Sequence, residues 1–331
     1  MGMSGNKQKQ SLAYIIVSIG VCLLMSCFGP RISHDKSSCD TLDTIETKEE
    51  RFSESQVEPV VLQDSVLSKK NIQVPTKWAL VIGVGEQEDP SWAKINGDKD
   101  VPYVTEMLKN ARYTDIRTLV NRRATKANIV KAFRSLAGQC GEGDMVYIHF
   151  SGHGQQVTDV NGDEEDGLDE SWIPYDAYLK YGEKDRGEKH LVDDEINVLL
   201  DAIRKKVGAA GKMLVVVDAC HSGSSTRGED DDVAVRGAKE DFVIPRATKK
   251  RTARVSEQWL TLSACKDYQT NQEMKSPKAG KLTYALYSLA REGEVTEKAV
   301  KVFVMKHRGS KPQTPVLTGE SVNLRLQDFF Q

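Results

Sequence analysis

Two short polar clusters in the sequence contain residue types that suit nucleophilic catalysis. Ser-Gly-His-Gly at 151–154 contains His153, and Asp-Ala-Cys-His-Ser-Gly at 218–223 contains Cys220. A cysteine attacks as its thiolate, and a neighbouring histidine can accept the thiol proton at neutral pH. The pair therefore predicts a nucleophile at Cys220 and a general base at His153. A lone cysteine after an apolar strand is often only a small core residue, so the prediction requires the two clusters to meet.

The glycines beside the pair predict an oxyanion hole. Glycine has no side chain, so a substrate carbonyl can approach the backbone closely. Backbone amides exposed in this way can donate to the negative oxygen that develops during acyl transfer. We expect the amides of Gly154 and Cys220 to take this role.

The elements that must position the clusters alternate between strand and helix. Apolar runs predict strands at 79–84, 116–120, 145–150, 214–217, 260–262 and 315–317. Helical spacing of apolar residues predicts helices at 101–111, 126–136, 193–207, 282–291 and 295–306. This alternation is typical of an α/β domain with a mostly parallel six-stranded sheet between helices. Both clusters follow predicted strands, so the carboxyl edge of such a sheet would bring them together.

The first residues predict an export signal. Lys7 and Lys9 precede an apolar run at 12–25, which is shorter than the roughly 20 residues a membrane-spanning helix needs. Leu-Met-Ser-Cys at 24–27 resembles a bacterial lipobox, in which Cys27 would carry the lipid. We expect a protein exported and anchored to a bacterial membrane, on its periplasmic or cell-surface face. An uncleaved N-terminal anchor is the alternative.

The sequence as a whole is predicted to divide into three regions. Residues 1–26 are the expected signal peptide, and residues 27–76 are polar and aperiodic, as in a tether. Residues 77–331 are expected to form the single catalytic domain.

The composition excludes several other classes of protein. Lys plus Arg number 46 and Asp plus Glu 48, so the charge gives no support for nucleic-acid binding. The six cysteines form no closely spaced pair of the kind that binds structural zinc. No organic cofactor is expected.

The two clusters also resemble the motifs of a known family. His-Phe-Ser-Gly-His-Gly at 149–154 and the 218–223 cluster, with the acidic stretch 159–170 and Ile-Pro-Tyr-Asp at 173–176, are similar to those of metacaspases, the caspase-like cysteine peptidases. The resemblance covers most of residues 77–318. It implies a caspase-like fold, a monomer, His153 as base and Cys220 as nucleophile. It also implies that protein or peptide substrates are cut after Arg or Lys.

The resemblance further implies a carboxylate pocket for the basic residue. Asp218 matches one pocket acid of the family, and Ser151 lines the same pocket. Asp100 fits the second acid best, and Asp98 is its rival. A plain helix N-cap is the other interpretation of Asp100.

Calcium is the one cofactor that the resemblance implies. Asp169, Asp193 and Asp194 match ligands of the calcium-activated members. Arg227 stands near the place of the family's fourth ligand, so we assign that position to Asp230 in the acidic run that follows. A solvated acidic loop is the alternative.

A polar stretch at 225–256 predicts a long mobile loop that the enzyme could cut itself. The basic residues it offers for self-cleavage are Arg227, Arg236, Lys239, Arg246 and the run 249–251.

Two other functions remain open at this stage. One is a catalytically silent lipoprotein that uses the fold to bind peptides or proteins. The other is an Arg-specific peptidase nearer to clostripain or gingipain.

Overall fold

Eleven strands and five α-helices occur in the part of the chain that the computed structural model describes, residues 74–162, 164–220, 234–245, 258–307, 309, 311–319 and 324–331. In chain order they are β1 (Lys77–Gly83), α1 (Gly97–Asn110), β2 (Asp115–Val120), α2 (Lys126–Gln139), β3 (Met145–Ser151), β4 (Gly154–Thr158), β5 (Leu168–Trp172), β6 (Leu191–Val192), α3 (Asp193–Val207), β7 (Lys212–Asp218), β8 (Leu260–Ser263), β9 (Glu273–Met274), β10 (Ala279–Gly280), α4 (Lys281–Glu292), α5 (Glu297–Lys306) and β11 (Val316–Thr318).

The central sheet has six strands in the order β11-β8-β7-β3-β1-β2. Its neighbouring strands run parallel except for β8 and β11, which are antiparallel. The predicted mostly parallel, six-stranded sheet is therefore confirmed. Its register pairs Ser151 with Asp218, so β3 and β7 end at the same level.

Helices cover both faces of this sheet because its strands are apolar on both sides. Ala79 and Val81 of β1 pack in a core with α1, α4 and α5, whereas Leu80 and Ile82 pack in a second core with α2 and α3. Successive side chains of a strand point to opposite faces, which divides the continuous apolar run between the two cores. Thr125 caps α2, because its side chain accepts a hydrogen bond from the Asn128 amide.

Helix α1 begins four residues earlier than the periodicity predicts. Its first residue, Gly97, lies against the ends of β1 and β3, where an added Cβ would stand 2.4 Å from the Val84 oxygen and 2.6 Å from the Ser151 oxygen. Only glycine allows so close an approach. Asp100 consequently lies inside the helix rather than at its N-cap, a position that Asn96 occupies.

Two small sheets, which the sequence analysis did not predict, flank the carboxyl edge of the central sheet. Strands β4, β5 and β6 form an antiparallel sheet directly after His153, and β9 pairs with β10. Their strands are only two to five residues long, so apolar periodicity gives little signal for them.

Residues 234–245, which we call the insert segment, lie along β4. Gly237 is bridged to Gly154 and Phe242 to Val157, both in the parallel sense. This part of the range 225–256 therefore pairs with β4, and the predicted mobility of the loop stays a prediction. The remainder of that range lies outside the described residues.

Several predictions concern residues that the structure does not describe. The signal peptide, Cys27 and nearly all of the tether belong to this part of the chain. Residues 69–331 form one compact unit. Among the residues described, no helix is long and apolar enough to cross a membrane.

Candidate active site

The ends of β3 and β7 bring the two polar clusters to one edge of the sheet. His153 stands two residues after β3 and Cys220 two residues after β7, and both side chains are buried. The Gly152 amide donates to the Asp218 carbonyl, joining the two turns at 3.4 Å. The same edge position was predicted from the parallel arrangement of the strands.

A backbone carbonyl fixes the tautomer of the His153 ring. His153 Nε2 lies 2.7 Å from the Ala93 carbonyl oxygen, and this oxygen can only accept, so Nε2 carries the proton. His153 Nδ1 is buried and has no hydrogen-bond partner among the described residues. The Trp92 ring packs on the imidazole at a centroid distance of 5.0 Å. The ring is thus held with the lone pair of Nδ1 available.

Burial keeps this imidazole neutral. Loss of water lowers the pKa of His153 to about 4; the Ala93 hydrogen bond opposes this shift, and the nearby Arg236 cation adds to it. At pH 7 the ring is therefore uncharged, which is the form that a general base requires.

The nucleophile candidate contacts a backbone carbonyl in this structure. The Cys220 thiol donates to the Gln269 carbonyl at 2.9 Å, and the Cys265 thiol points to the same oxygen at 3.5 Å. The neighbouring Cys220 thiol and burial raise the pKa of Cys265. Two thiols therefore share one small buried space at the end of β7.

An arginine of the insert segment occupies the predicted carboxylate pocket. The Arg236 side chain is fully buried and its guanidinium lies 2.7 Å from Asp100 Oδ2, 3.4 Å from Asp218 Oδ1 and 2.9 Å from Glu273 Oε1. A buried guanidinium needs paired carboxylates to offset its lost hydration. The pocket therefore has the charge and shape for a basic side chain.

Further polar groups hold the pocket acids in place. Ser151 donates its hydroxyl proton to Asp100, which also accepts from the Gly280 amide at 2.9 Å. Asp218 accepts from Asn271 Nδ2 at 2.8 Å and from Thr283 Oγ1 at 2.7 Å. The carboxylates are thus oriented before any ligand enters.

The two acids differ in their pKa. Burial raises the pKa of Asp100 to about 6, with Arg236 lowering it and the Asp218 charge raising it. Burial alone would raise the pKa of Asp218, but the Arg236 guanidinium and the hydrogen bonds from Asn271 and Thr283 hold it below its ordinary value. The cluster raises the pKa of Arg236 in turn, so the guanidinium stays charged.

The backbone of Arg236 lies at the nucleophile. Its carbonyl oxygen accepts a hydrogen bond from the Cys220 amide at 2.8 Å, the contact predicted for one half of an oxyanion hole. Gly154 meets the insert segment through its carbonyl, which accepts from the Ala238 amide at 3.0 Å. The predicted site residues at the two strand ends therefore flank one peptide bond, between Arg236 and Gly237.

Sequence reasoning missed part of this pocket and included one residue outside it. Asp98, the rival of Asp100, pairs instead with Lys99 toward the surface, 2.9 Å away. Glu273 and Asn271 were not predicted, since a short polar run after β8 has the composition of an ordinary loop. The only available signal was its polarity at the carboxyl end of a strand.

The predicted calcium ligands lie around the start of α3. Antiparallel pairing of Ser171 with Val192 places Asp169 of β5 near Asp193 and Asp194. Carboxylate oxygens are the ligand type that calcium prefers. Nevertheless, no group of three or more metal-ligating side chains converges on one point within the described residues, and Asp230 lies outside them.

Comparison with known proteins identifies relatives that match the part of the chain containing His153 and Cys220. Residues 77–227 match the family model described as metacaspase, peptidase C14 domain. Metacaspase-1B of Aspergillus fumigatus is 38% identical over 102 residues, covering 30% of this chain and 22% of the relative. Metacaspase-1A of Aspergillus clavatus is 38% identical over 156 residues, covering 44% of this chain and 34% of the relative. The matches thus span between 22% and 34% of the length of these relatives.

A crystal structure shares the fold. Protein GSU0716 from Geobacter sulfurreducens superposes with a TM-score of 0.56 at 24% sequence identity, covering 78% of this chain and 97% of that protein. Together with the family match, this agreement confirms the predicted caspase-like fold.

The buried charge cluster predicts a pH-dependent stability effect. In a Cys220→Ala background, which prevents any cleavage, Arg236→Ala should lower the free energy of unfolding by about 3 kcal/mol at pH 8, because it leaves buried carboxylates unpaired. The loss should shrink at pH 5, since without the cation the pKa values of Asp100 and Asp218 rise and protonation removes the unpaired charge. Urea unfolding at both pH values measures this, with the exposed Lys239→Ala as control. A loss of equal size at both pH values would contradict the prediction.

Proposed function

Because residues 77–227 match the metacaspase family model, we propose that the protein is a cysteine endopeptidase that cuts polypeptides after Arg or Lys. Cys220 is the nucleophile and His153 the general base in this proposal. The family match supports peptidase chemistry, and the pocket supports the basic specificity. We further propose that the enzyme acts as a monomer on protein or peptide substrates.

One observation carries the proposed specificity. Arg236 is held as a substrate arginine would be, with its guanidinium against Asp100 and Asp218 and its carbonyl on the Cys220 amide. The pocket acids come from α1 and from the end of β7, and the amide comes from the turn after β7, yet both engage one residue. A structural ion pair alone would not require the carbonyl to be at the nucleophile.

The proposed reaction begins with a proton transfer. His153 Nδ1 takes the proton of the Cys220 thiol, and the sulfur attacks the carbonyl carbon before the cut. The Cys220 amide stabilises the oxyanion that forms. The protonated imidazole then gives its proton to the leaving amine, which departs as the peptide bond breaks. A thioester remains between Cys220 and the new carboxyl-terminal residue.

Water completes the cycle. His153, neutral again, takes a proton from a water molecule that attacks the thioester carbonyl, and the oxyanion forms against the same amide. Collapse of this intermediate releases the acid product, and the thiol is regenerated by the imidazole proton. The Ala93 carbonyl holds the ring in the required tautomer throughout.

The same geometry supports self-cleavage between Arg236 and Gly237. Two of the predicted sites lie within the described residues: the Arg236 side chain is in the pocket, and Lys239 is exposed. While it is uncut, the insert segment blocks the site to other substrates. We therefore propose that the cut opens the site.

Calcium stimulation is the proposed regulation. The carboxylates of Asp169, Asp193 and Asp194 supply the oxygen ligands that calcium prefers, and burial and the Asp193 charge raise the pKa of the adjacent Glu170 to about 7. A bound cation would offset this crowding of carboxylates.

Lipid anchoring at Cys27 to a bacterial membrane, on the periplasmic or cell-surface face, is proposed on the sequence alone. The lipobox-like segment at 24–27 supports it.

Turnover of small peptides tests the main proposal. Coumarin peptides ending in Arg or Lys should be hydrolysed at least about a hundredfold faster than one ending in Asp, because an acid would be buried among like charges. Cys220→Ala should abolish turnover, and Asp100→Asn should lower kcat/KM for the Arg peptide about tenfold or more. Asp98→Asn is the matched control and should stay close to the parent. Binding of these peptides without hydrolysis by the reduced, folded protein would favour the silent binding function.

Self-cleavage is tested by the fragments that the purified chain produces. Mass spectrometry and N-terminal sequencing should identify a fragment that begins Gly237-Ala238-Lys239. Arg236→Ala should stop its formation because alanine cannot pair with the pocket acids, whereas Lys239→Ala should leave it intact. The same fragment from Cys220→Ala would assign the cut to another protease.

Calcium binding is tested by thermal unfolding of the Cys220→Ala chain. Millimolar calcium should raise Tm by several degrees, because a ligand that binds only the folded state stabilises it. Asp169→Asn should remove most of this shift, whereas Asp166→Asn, an exposed acid of the same loop, should keep it. An equal shift in both variants would refute the assignment of Asp169 as a ligand.

A further inference from the structure

The insert segment also contacts the enzyme beyond Gly237, on the side that a substrate's leaving half would occupy. Two residues of this stretch, Ala238 and Phe242, are buried, and three exposed residues separate them. The inference drawn from them rests on the proposed function and extends it to the residues after the cut.

The first residue after Arg236 fits only as glycine. A Cβ at Gly237 would lie 2.9 Å from the Cys220 carbonyl oxygen and 3.4 Å from Cys220 Cβ. A contact of this kind with backbone would force the substrate away from the nucleophile. The position immediately after the cut therefore favours the smallest residue.

The second residue enters a small apolar pocket. Ala238 is only 4% exposed and packs with Trp92, Ile173 and Ala177 in a cluster separate from the two main cores. The Trp92 ring in this pocket is the one that packs on His153. A large side chain here would displace Trp92 and with it the general base. A large second residue is therefore disfavoured both in binding and in catalysis.

The next three residues lie at the surface, where Glu240 pairs with Lys180 Nζ at 2.7 Å. Both of these side chains are more than half exposed, so the ion pair adds little selectivity. Lys239, Glu240 and Asp241 are exposed, and the main contact in this stretch is made by backbone, where the Glu240 carbonyl accepts from Gln155 Nε2 at 2.8 Å. From the bridge at Gly237 to the bridge at Phe242 the insert segment advances five positions, whereas β4 advances three, from Gly154 to Val157. The segment therefore bulges outward between Ala238 and Phe242, which we call its two anchors.

The sixth residue is a buried aromatic ring. Phe242 has no exposed surface, and its ring lies 4.2 Å from that of His190, centroid to centroid. Its amide donates to the Gln156 carbonyl at 2.7 Å, and its carbonyl accepts from the Thr158 amide at 3.0 Å. Both anchors are thus tied to the free edge of β4, the outer strand of its sheet.

These contacts define a substrate class. We propose that the groove along β4 is a recognition site for extended protein segments with glycine first, a small residue second and an aromatic residue sixth after the cut. An edge strand binds an incoming chain through its backbone and leaves specificity to the side-chain pockets. Once the cut has released the insert segment from the groove, substrates compete with it for the same two anchors.

Peptides with the sequence of residues 234–245 test the groove without changing the enzyme. The wild-type chain, allowed to cut itself first, is assayed with the parent peptide and with versions carrying Phe242→Ala, Ala238→Phe or, as matched control, Lys239→Ala. Loss of the buried ring should lower kcat/KM at least about tenfold, mainly through KM. Ala238→Phe should lower kcat by a similar factor because it displaces Trp92, and Lys239→Ala should stay within about twofold.

A coumarin peptide ending in Arg, which lacks residues after the cut, separates this inference from the proposed function. If it is hydrolysed but all four long peptides are cut at equal kcat/KM, the groove is not a recognition site and the proposed function stands. If neither the coumarin peptide nor any long peptide is cut, the proposed function is wrong, and the proposed recognition site is wrong as well because it rests on that function. Self-cleavage gives a second readout, since Phe242→Ala in the chain should slow the Arg236 cut at least about tenfold relative to Lys239→Ala.

Discussion

The ion cluster of Arg236 with Asp100 and Asp218 is the interaction on which the arrangement of the site depends. It lies in a space closed to solvent, where each charge would be costly without the other. Its two acids come from α1 and from the end of β7, and its cation comes from the insert segment between β7 and β8. Satisfying the buried charges therefore holds three distant parts of the chain together, and it places the Arg236 carbonyl at the Cys220 amide.

The central sheet makes this cluster possible because its geometry is rigid. The parallel register of β3 and β7 ends both strands at one level, so His153 and Cys220 emerge side by side. Gly97 lets α1 begin directly against the strand ends, which brings Asp100 beneath the same edge. In such folds the site lies where strands end, since backbone there is free to turn toward a ligand.

The proposed chemistry at this edge requires a neutral base. Burial supplies it by lowering the pKa of His153, and the Ala93 carbonyl selects which nitrogen keeps the proton. The insert segment, with Arg236 in the pocket, covers the same edge. The residues that make an arginine stable in this position are the ones that a substrate arginine would need, so the proposed latency and the proposed specificity share one physical origin.

The sequence by itself determined the alternation of strands and helices, the carboxyl edge where the clusters meet, and the pair His153 and Cys220, because apolar periodicity and local motifs are encoded over short distances. Only the tertiary structure decided that Asp100 rather than Asp98 faces the pocket, that Glu273 joins it, and that Arg236 fills it. Those outcomes depend on burial and on contacts between residues far apart in the chain. A charged residue in a polar stretch has the same local pattern whether it ends in solvent or in a closed pocket, and only packing separates the two.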